Sequence, residues 1–281
     1  MIVSVIVPTY NRPRELTCCL QSLFRQSRIP NEIIVADDGS SDETRDAINL
    51  FRESIHGRIT IKHVWQADDG FQKPRILNES VRNSDGDYLV FIDGDCMAHR
   101  DFLHYHLLSA EPNTLCGGKR VDLGKQLSEV LLRDGLFVTQ INVKMILDSI
   151  TGDSRKIEES LVIRSKTIRN CLKLDHINDD GIRGCNFSLS KPLFFAIYGC
   201  DEDFLDGSIE DNDLGIRVLN SGGKLKSVRN LANVFHLWHK SSWSFNNEKY
   251  LHNKQILERR ITLKEQSCNN GIIKPLTGFR A

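Results

Sequence analysis

The sequence predicts an α/β fold: a mostly parallel central sheet flanked by helices. Three observations lead there. Short apolar or β-branched runs alternate with stretches of helical spacing through the first hundred residues, the rhythm of βαβ units. Those runs are apolar at consecutive positions, as in strands buried on both faces. Each is followed by polar residues, and in a parallel sheet these C-terminal strand ends share one edge.

In order, residues 2–7 are continuous and β-branched, a first strand ending at Pro8. After a loop at 9–13, residues 14–26 place Leu16, Cys19, Leu20 and Leu23 at the spacing of an amphipathic helix. Residues 32–36 form a second strand, 43–51 a helix, 58–64 a third strand, 75–83 a helix and 88–92 a fourth strand. A short helix over 101–110 carries His104 and His106, which are two apart and so cannot share a helix face. With His99 they read as solvated or core histidines, not a metal trio. Residues 114–122 read as one strand, with Gly117 and Gly118 marking a close approach of ligand or backbone and Arg120 a phosphate or acceptor contact.

From 123 to 178 the pattern is helical and polar, with Leu127, Val130, Leu131 and Leu136 repeating. Arg164, Lys166, Arg169 and Lys173 give 163–173 a basic face, read first as solvated, with acidic lipid headgroups or an anionic acceptor as the alternatives. A strand over 184–189 and a helix over 191–196 precede seven acidic residues between Asp201 and Asp213. A helix follows over 214–219, so the group at 210–213 sits at its N-terminus and Gly222 and Gly223 stop it. N-capping accounts for Glu210 or Asp211 but leaves Asp203 and Asp206 unexplained. His236 and His239 lie at a strand end around Trp238; residues 246–260 form a closing helix and 271–281 a frayed end.

Lys plus Arg and Asp plus Glu both number 37, which argues against a nucleic-acid partner. The first residues lack the basic flank and cleavage site of a signal peptide, and no apolar run approaches a membrane span. Eight cysteines without CxxC spacing read as reduced thiols, so a cytoplasmic location is expected.

Thr9, Asp37, Asp38, Asp68, Asp69, Asp93 and Asp95 all fall just beyond strands. Such crowding is costly unless cations neutralise it; Lys73, Arg75 or a divalent metal are the candidates. Asp93-Gly94-Asp95 is either a metal–diphosphate site or a polar turn on its own evidence.

Residues 5–12 (VIVPTYNR), 34–42 (IVADDGSSD) and 91–95 (FIDGD) together resemble a family 2 glycosyltransferase of the GT-A fold. Residues 67–73 (ADDGFQK) are similar to the branch of bacterial chondroitin-polymerase and lipopolysaccharide or capsule transferase domains. The resemblance implies one GT-A domain over 1–281, a nucleotide-sugar-binding half to 122 and an acceptor half from 123. It implies that Pro8, Thr9, Tyr10 and Arg12 belong to the nucleotide pocket and that Asp37 accepts from the base N–H. Asp69 or Lys73 would lie near the donor sugar or its phosphates. Asp93, with Gly94 beside it, would face the ribose or a metal-bound water. Asp95 with His236 would hold Mn²⁺ or Mg²⁺; His239 is the alternative metal ligand or a diphosphate contact. Asp211 would be the base, assisted by Glu210. The chain departs from the branch before Glu210, where a Gly-Trp-Gly-like segment is replaced by Asp206-Gly207-Ser208-Ile209, with only Gly207 matching.

The expected activity is inverting, metal-dependent transfer from a nucleotide sugar, UDP-linked, to a saccharide or lipid-linked saccharide in surface polysaccharide synthesis. Peripheral contact with the inner membrane face would accompany a lipid-linked acceptor. A sugar nucleotidyltransferase is the rival enzyme, but it needs a glycine-rich phosphate loop where Pro8-Thr9-Tyr10-Asn11-Arg12 stands. A non-catalytic nucleotide-sugar or polysaccharide-binding module is the rival of another class.

Overall fold

The computed structural model describes residues 1–134, 143–177, 182–240 and 247–274. Leu136, the junctions at 178–181 and 241–246, and residues 275–281 of the expected frayed end lie outside them. The chain opens as β1 (Val3–Thr9), α1 (Pro13–Phe24), β2 (Glu32–Asp37), α2 (Asp42–Ser54), β3 (Thr60–Trp65), α3 (Lys73–Arg82) and β4 (Tyr88–Phe91). It continues through β5 (Cys96–Ala98), α4 (Phe102–Ser109), β6 (Thr114–Gly117), β7 (Arg120–Asp122), α5 (Lys125–Asp134) and α6 (Val143–Ile150). After a 3₁₀ turn at Ile157–Ser160 come α7 (Lys166–Cys171), β8 (Phe187–Ser190), α8 (Lys191–Ala196), α9 (Glu210–Asn220), β9 (Lys224–Ser227), β10 (Val234–His236) and α10 (Asn247–Leu263).

The main sheet has the order β3-β2-β1-β4-β8-β6-β9. Strands β1 to β4 pair in parallel, β8 is antiparallel to both neighbours, and β6 with β9 is parallel again. Residues from both expected halves therefore build one sheet. Alternate residues feed two cores. Val3, Val5, Val7, Ile33, Val35 and Val90 join α1, α2 and α4 on one face. On the other, Ile6, Ile34, Leu89 and Phe91 meet α3, α8 and α9. Phe91 stacks on Phe187 with ring centroids 4.3 Å apart, tying the parallel part of the sheet to the antiparallel part.

The expected single strand over 114–122 is corrected to two. A Cβ on Gly118 would lie 2.7 Å from Asn186 Oδ1, and the Gly118 amide donates to Asn186 O at 2.9 Å. The chain turns there because Asn186 packs on it, leaving β6 in the main sheet and carrying β7 into a second sheet ordered β5-β10-β7. That sheet packs on α5 through Val121, Phe235, Leu127 and Leu131.

The basic face over 163–173 is solvated except at one residue. Arg169 is 4% exposed and donates to Asp175 Oδ1 and Arg229 O, both at 2.8 Å. Arg164 donates to Tyr105 OH at 2.5 Å. Arg169 thus turns inward and ties α7 down, while Arg164, Lys166 and Lys173 stay exposed. His106 is a core histidine between Ser188 Oγ (2.7 Å) and Asn186 Oδ1 (3.0 Å), and burial pushes it down to about 4. All eight cysteines are free. Among the described residues, no helix is long and apolar enough to cross a membrane.

Candidate active site

The C-terminal ends of β1, β2 and β4 open into a cavity of about 500 Å³, within the range of small-molecule sites. Pro8, Thr9, Tyr10, Arg12, Lys73, Asp93, Gly94, Asp95 and His239 all line it, as do Asp38, Phe71 and Asp206. The Asp-Gly-Asp turn is pressed against the end of β1. Gly94 N donates to Pro8 O at 2.9 Å, and a Cβ on Gly94 would sit only 2.9 Å from that oxygen. Glycine is required there by the close approach of two backbones.

The small sheet builds one end of the site. Register pairs His236 with Cys96, the residue after Asp95, and with Asp122 on the other side. Leu237 N donates to Asp95 O at 2.9 Å. His236 Nε2 and His239 Nε2 then approach Asp95 Oδ2 at 3.6 and 3.0 Å. Ligand atoms of these three residues lie within 4.8 Å of one another, so a carboxylate and two imidazoles converge on a point one divalent cation can occupy. Burial works to raise the Asp95 carboxyl, but hydrogen bonds and charge from His236 and His239 outweigh it and hold it well below the usual range. His239 is raised in return, chiefly by its bond to Asp95. His236 and His239 are thus both in place, where the sequence offered one with the other as alternative.

The other end centres on Lys73, the first residue of α3. Its Nζ lies 3.2 Å from Asp93 Oδ1 and 3.7 Å from Glu210 Oε1. Burial opposes its charge, but Asp93, Asp211 and Glu210 overcome that and raise Lys73 well above its ordinary value. Glu210 and Asp211 open α9, whose cap residue, Ile209, makes no side-chain cap bond. Burial, then the Asp211 charge, pushes Glu210 up to about 8. Asp211 is raised by burial too, against the pull of Lys73. Asp211 Oδ2 accepts from Gly184 N at 2.7 Å, a bond that favours its ionised form.

Residues 4–191 match the family described as glycosyl transferase family 2. The chain belongs to that family. It is 36% identical over 231 residues to a validoxylamine A glucosyltransferase of Streptomyces hygroscopicus subsp. limoneus, covering 77% of this chain and 48% of that one. It is 27% identical over 242 residues to a chondroitin synthase of Escherichia coli, covering 80% and 33%. The chain thus spans half or less of either relative. A mannosyltransferase from Pyrobaculum calidifontis, solved with GDP-Man and Mn²⁺, superposes with a TM-score of 0.57 at 18% identity, over 91% of this chain and 61% of that one. Its likeness shows the shared GT-A fold.

Five expected residues stand off the main cavity wall: His236 behind Asp95, Glu210 and Asp211 in a small adjoining pocket that shares Pro8 and Lys73, and Asp37 and Asp69. Asp37 is 1% exposed; its Oδ1 accepts from Ser40 N at 2.9 Å and its Oδ2 meets His63 Nε2 at 2.8 Å. Its neighbour Asp38 lines the cavity instead, accepting from Gln66 Nε2 (2.6 Å) and Gln72 N (3.0 Å). Asp69 is exposed and outside the lining, while Phe71, two residues on, is part of it. Tyr10 forms a half-exposed wall and donates to Asp68 Oδ2 at 2.9 Å. Gly184 carried no signal in the sequence, yet a Cβ there would lie 2.7 Å from Asp211 Oδ2.

The acidic cluster divides in two. Asp213 pairs with Arg217 at 2.6 Å and Arg260 at 3.0 Å, all three essentially buried, and Asp201 also pairs with Arg260. These pairs lock α9 to α10 and so fix where Glu210 and Asp211 stand.

Proposed function

We propose that this chain is an inverting, metal-dependent glycosyltransferase that takes a nucleotide sugar, UDP-linked, and passes its sugar to a saccharide hydroxyl. The observation that carries the reading is a cation-ready Asp95–His236–His239 triad beside a Lys73–Glu210–Asp211 cluster, Lys73 lining both the main cavity with Asp95 and His239 and the small adjoining pocket with Glu210 and Asp211. Two buried polar atoms of cavity-lining residues without hydrogen-bond partners among the described residues, Thr9 Oγ1 and Asp206 Oδ2, fit a cavity built for a hydroxyl-rich ligand.

Asp95, His236 and His239 would hold the metal, and imidazole ligands suit Mn²⁺ better than Mg²⁺. A bound divalent ion supplies charge neutralisation for the departing diphosphate. Tyr10, Arg12, Pro8 and Thr9 frame the nucleotide, with Asp38 rather than Asp37 presented to it. Asp211, ionised and oriented by Gly184 N–H, takes the acceptor hydroxyl proton as that oxygen bonds the anomeric carbon and the carbon–phosphate oxygen bond breaks. Glu210 keeps its proton at neutral pH and donates a hydrogen bond beside it. Lys73 balances the charge of Asp93 and Asp211.

The single main sheet running through both halves supports one GT-A domain. A role in surface polysaccharide synthesis at the cytoplasmic membrane face, on a saccharide or lipid-linked acceptor, follows from the branch the motifs resemble. The test is release of free nucleoside diphosphate when donor, Mn²⁺ and a saccharide acceptor are combined. Donor binding without release would contradict the catalytic reading and favour a binding module.

A further inference from the structure

Asp206 is an acidic cavity residue that the metal triad, the Lys73 cluster and the nucleotide frame all leave unused. It sits on the loop between α8 and α9, 5% exposed, and lines the cavity beside Leu205. Its Oδ1 accepts from Ser208 N at 3.1 Å and from Asn253 Nδ2 at 2.8 Å. Asn253, fully buried on α10, also reaches Ser208 Oγ at 3.2 Å and accepts from Leu205 N at 3.0 Å through Oδ1. The loop is therefore set from behind by α10.

Asp206 Oδ2, by contrast, is buried with no hydrogen-bond partner among the described residues. A buried carboxylate oxygen left unpaired is costly, and a ligand donor relieves that cost. Phe71 lies beside it: a Cβ on the neighbouring Gly207 would meet the Phe71 ring at 3.4 Å, and Phe71 lines the same cavity. An aromatic ring next to an acceptor-only oxygen suits the mixed apolar and hydroxyl surface of a sugar.

We propose that Asp206 is a specificity residue whose Oδ2 accepts hydrogen bonds from hydroxyls of the donor sugar, selecting an uncharged hexose over a hexuronate. The inference rests on reading the cavity as a nucleotide-sugar site. A hydroxyl donates to Oδ2 and satisfies it. A uronate carboxylate placed there would set two acceptors and two negative charges against each other. Lys249 also lines the cavity, but it has partners of its own within the protein.

Asp206→Asn is the informative change. The amide oxygen can keep the two bonds made by Oδ1, while an NH₂ replaces Oδ2, so an acceptor becomes a donor with the loop unaltered. UDP, GDP, UDP-glucose, UDP-galactose, GDP-mannose, UDP-N-acetylglucosamine and UDP-glucuronate would be titrated with Mn²⁺ into wild type, Asp206→Asn and Asp203→Asn, a change at an exposed acid of the same loop. Wild type should bind an uncharged sugar donor at least about tenfold more tightly than UDP-glucuronate. Asp206→Asn should weaken that donor about tenfold or more while the parent nucleoside diphosphate changes less than twofold. Asp203→Asn should behave as wild type. Unchanged donor affinity in Asp206→Asn, equal weakening of donor and nucleoside diphosphate, or a wild-type preference for the glucuronate would overturn the inference while leaving the nucleotide-sugar reading intact. If wild type binds none of the seven compounds, both readings fall.

Discussion

The two ends of the site treat buried carboxylates in opposite ways. At the metal end, Asp95 is flanked by two imidazoles, which hold its carboxyl well below the usual range despite burial. At the base end, Glu210 and Asp211 share the field of Lys73 with Asp93, and burial with mutual repulsion pushes Glu210 up to about 8. The difference comes from neighbours, since burial acts in the same sense on both. One end is a standing anion suited to a cation. The other divides its protons between two acids, the condition for separate donor and base roles.

The comparison can be broken in four places, the largest effect first. Asp211→Asn removes the base: kcat should fall by about 10²–10⁴, with nucleoside diphosphate affinity nearly unchanged. Equal loss of both in titration and turnover would end the base assignment. Asp95→Asn should act at the other end, weakening Mn²⁺-dependent nucleotide binding by more than the roughly 10–100-fold that outer-shell changes cost; calorimetry with Mn²⁺ and with chelator checks this. Gly184→Ala drives a methyl into the Asp211 carboxylate and should lower kcat about 10–100-fold, since small misplacements of a reacting group are that costly. Its metal-dependent nucleotide binding should match wild type.

The smallest effect is on stability. Glu210 is raised from 4.5 to about 8, so the folded chain holds a proton that the unfolded chain releases. Metal-free stability should therefore fall as pH rises from about 4.5 to 8, the reverse of the Asp95 contribution, which is lost as pH falls through acid. Glu210→Gln should flatten the decline in Tm between pH 5 and 8.5. An unchanged slope would show that the pair does not hold this proton.

The framework of the site was legible because it lies at strand ends. Apolar runs located β1 to β4, and Pro8, Thr9, Asp93 and Asp95 follow from where those runs stop. Which of two adjacent aspartates meets the cavity was not legible, because β2 carries Asp37 one residue further than its apolar run and turns its carboxylate to His63. Gly184 and Phe71 gained their places from segments far away in sequence, Asp211 on α9 and the loop at Gly207. The seven acids between Asp201 and Asp213 looked alike; the positions of Arg217 and Arg260 mark Asp201 and Asp213 as structural. The break in 114–122 likewise depends on Asn186, which no local pattern announces.

The most direct test of the central claim is calorimetric titration of UDP and GDP into the chain with Mn²⁺ and with chelator, repeated for His236→Ala and His239→Ala. The account predicts binding of a nucleoside diphosphate in Mn²⁺, lost on chelation and strongly weakened in both variants. Binding that is equally tight without metal, or indifferent to both histidines, would contradict it.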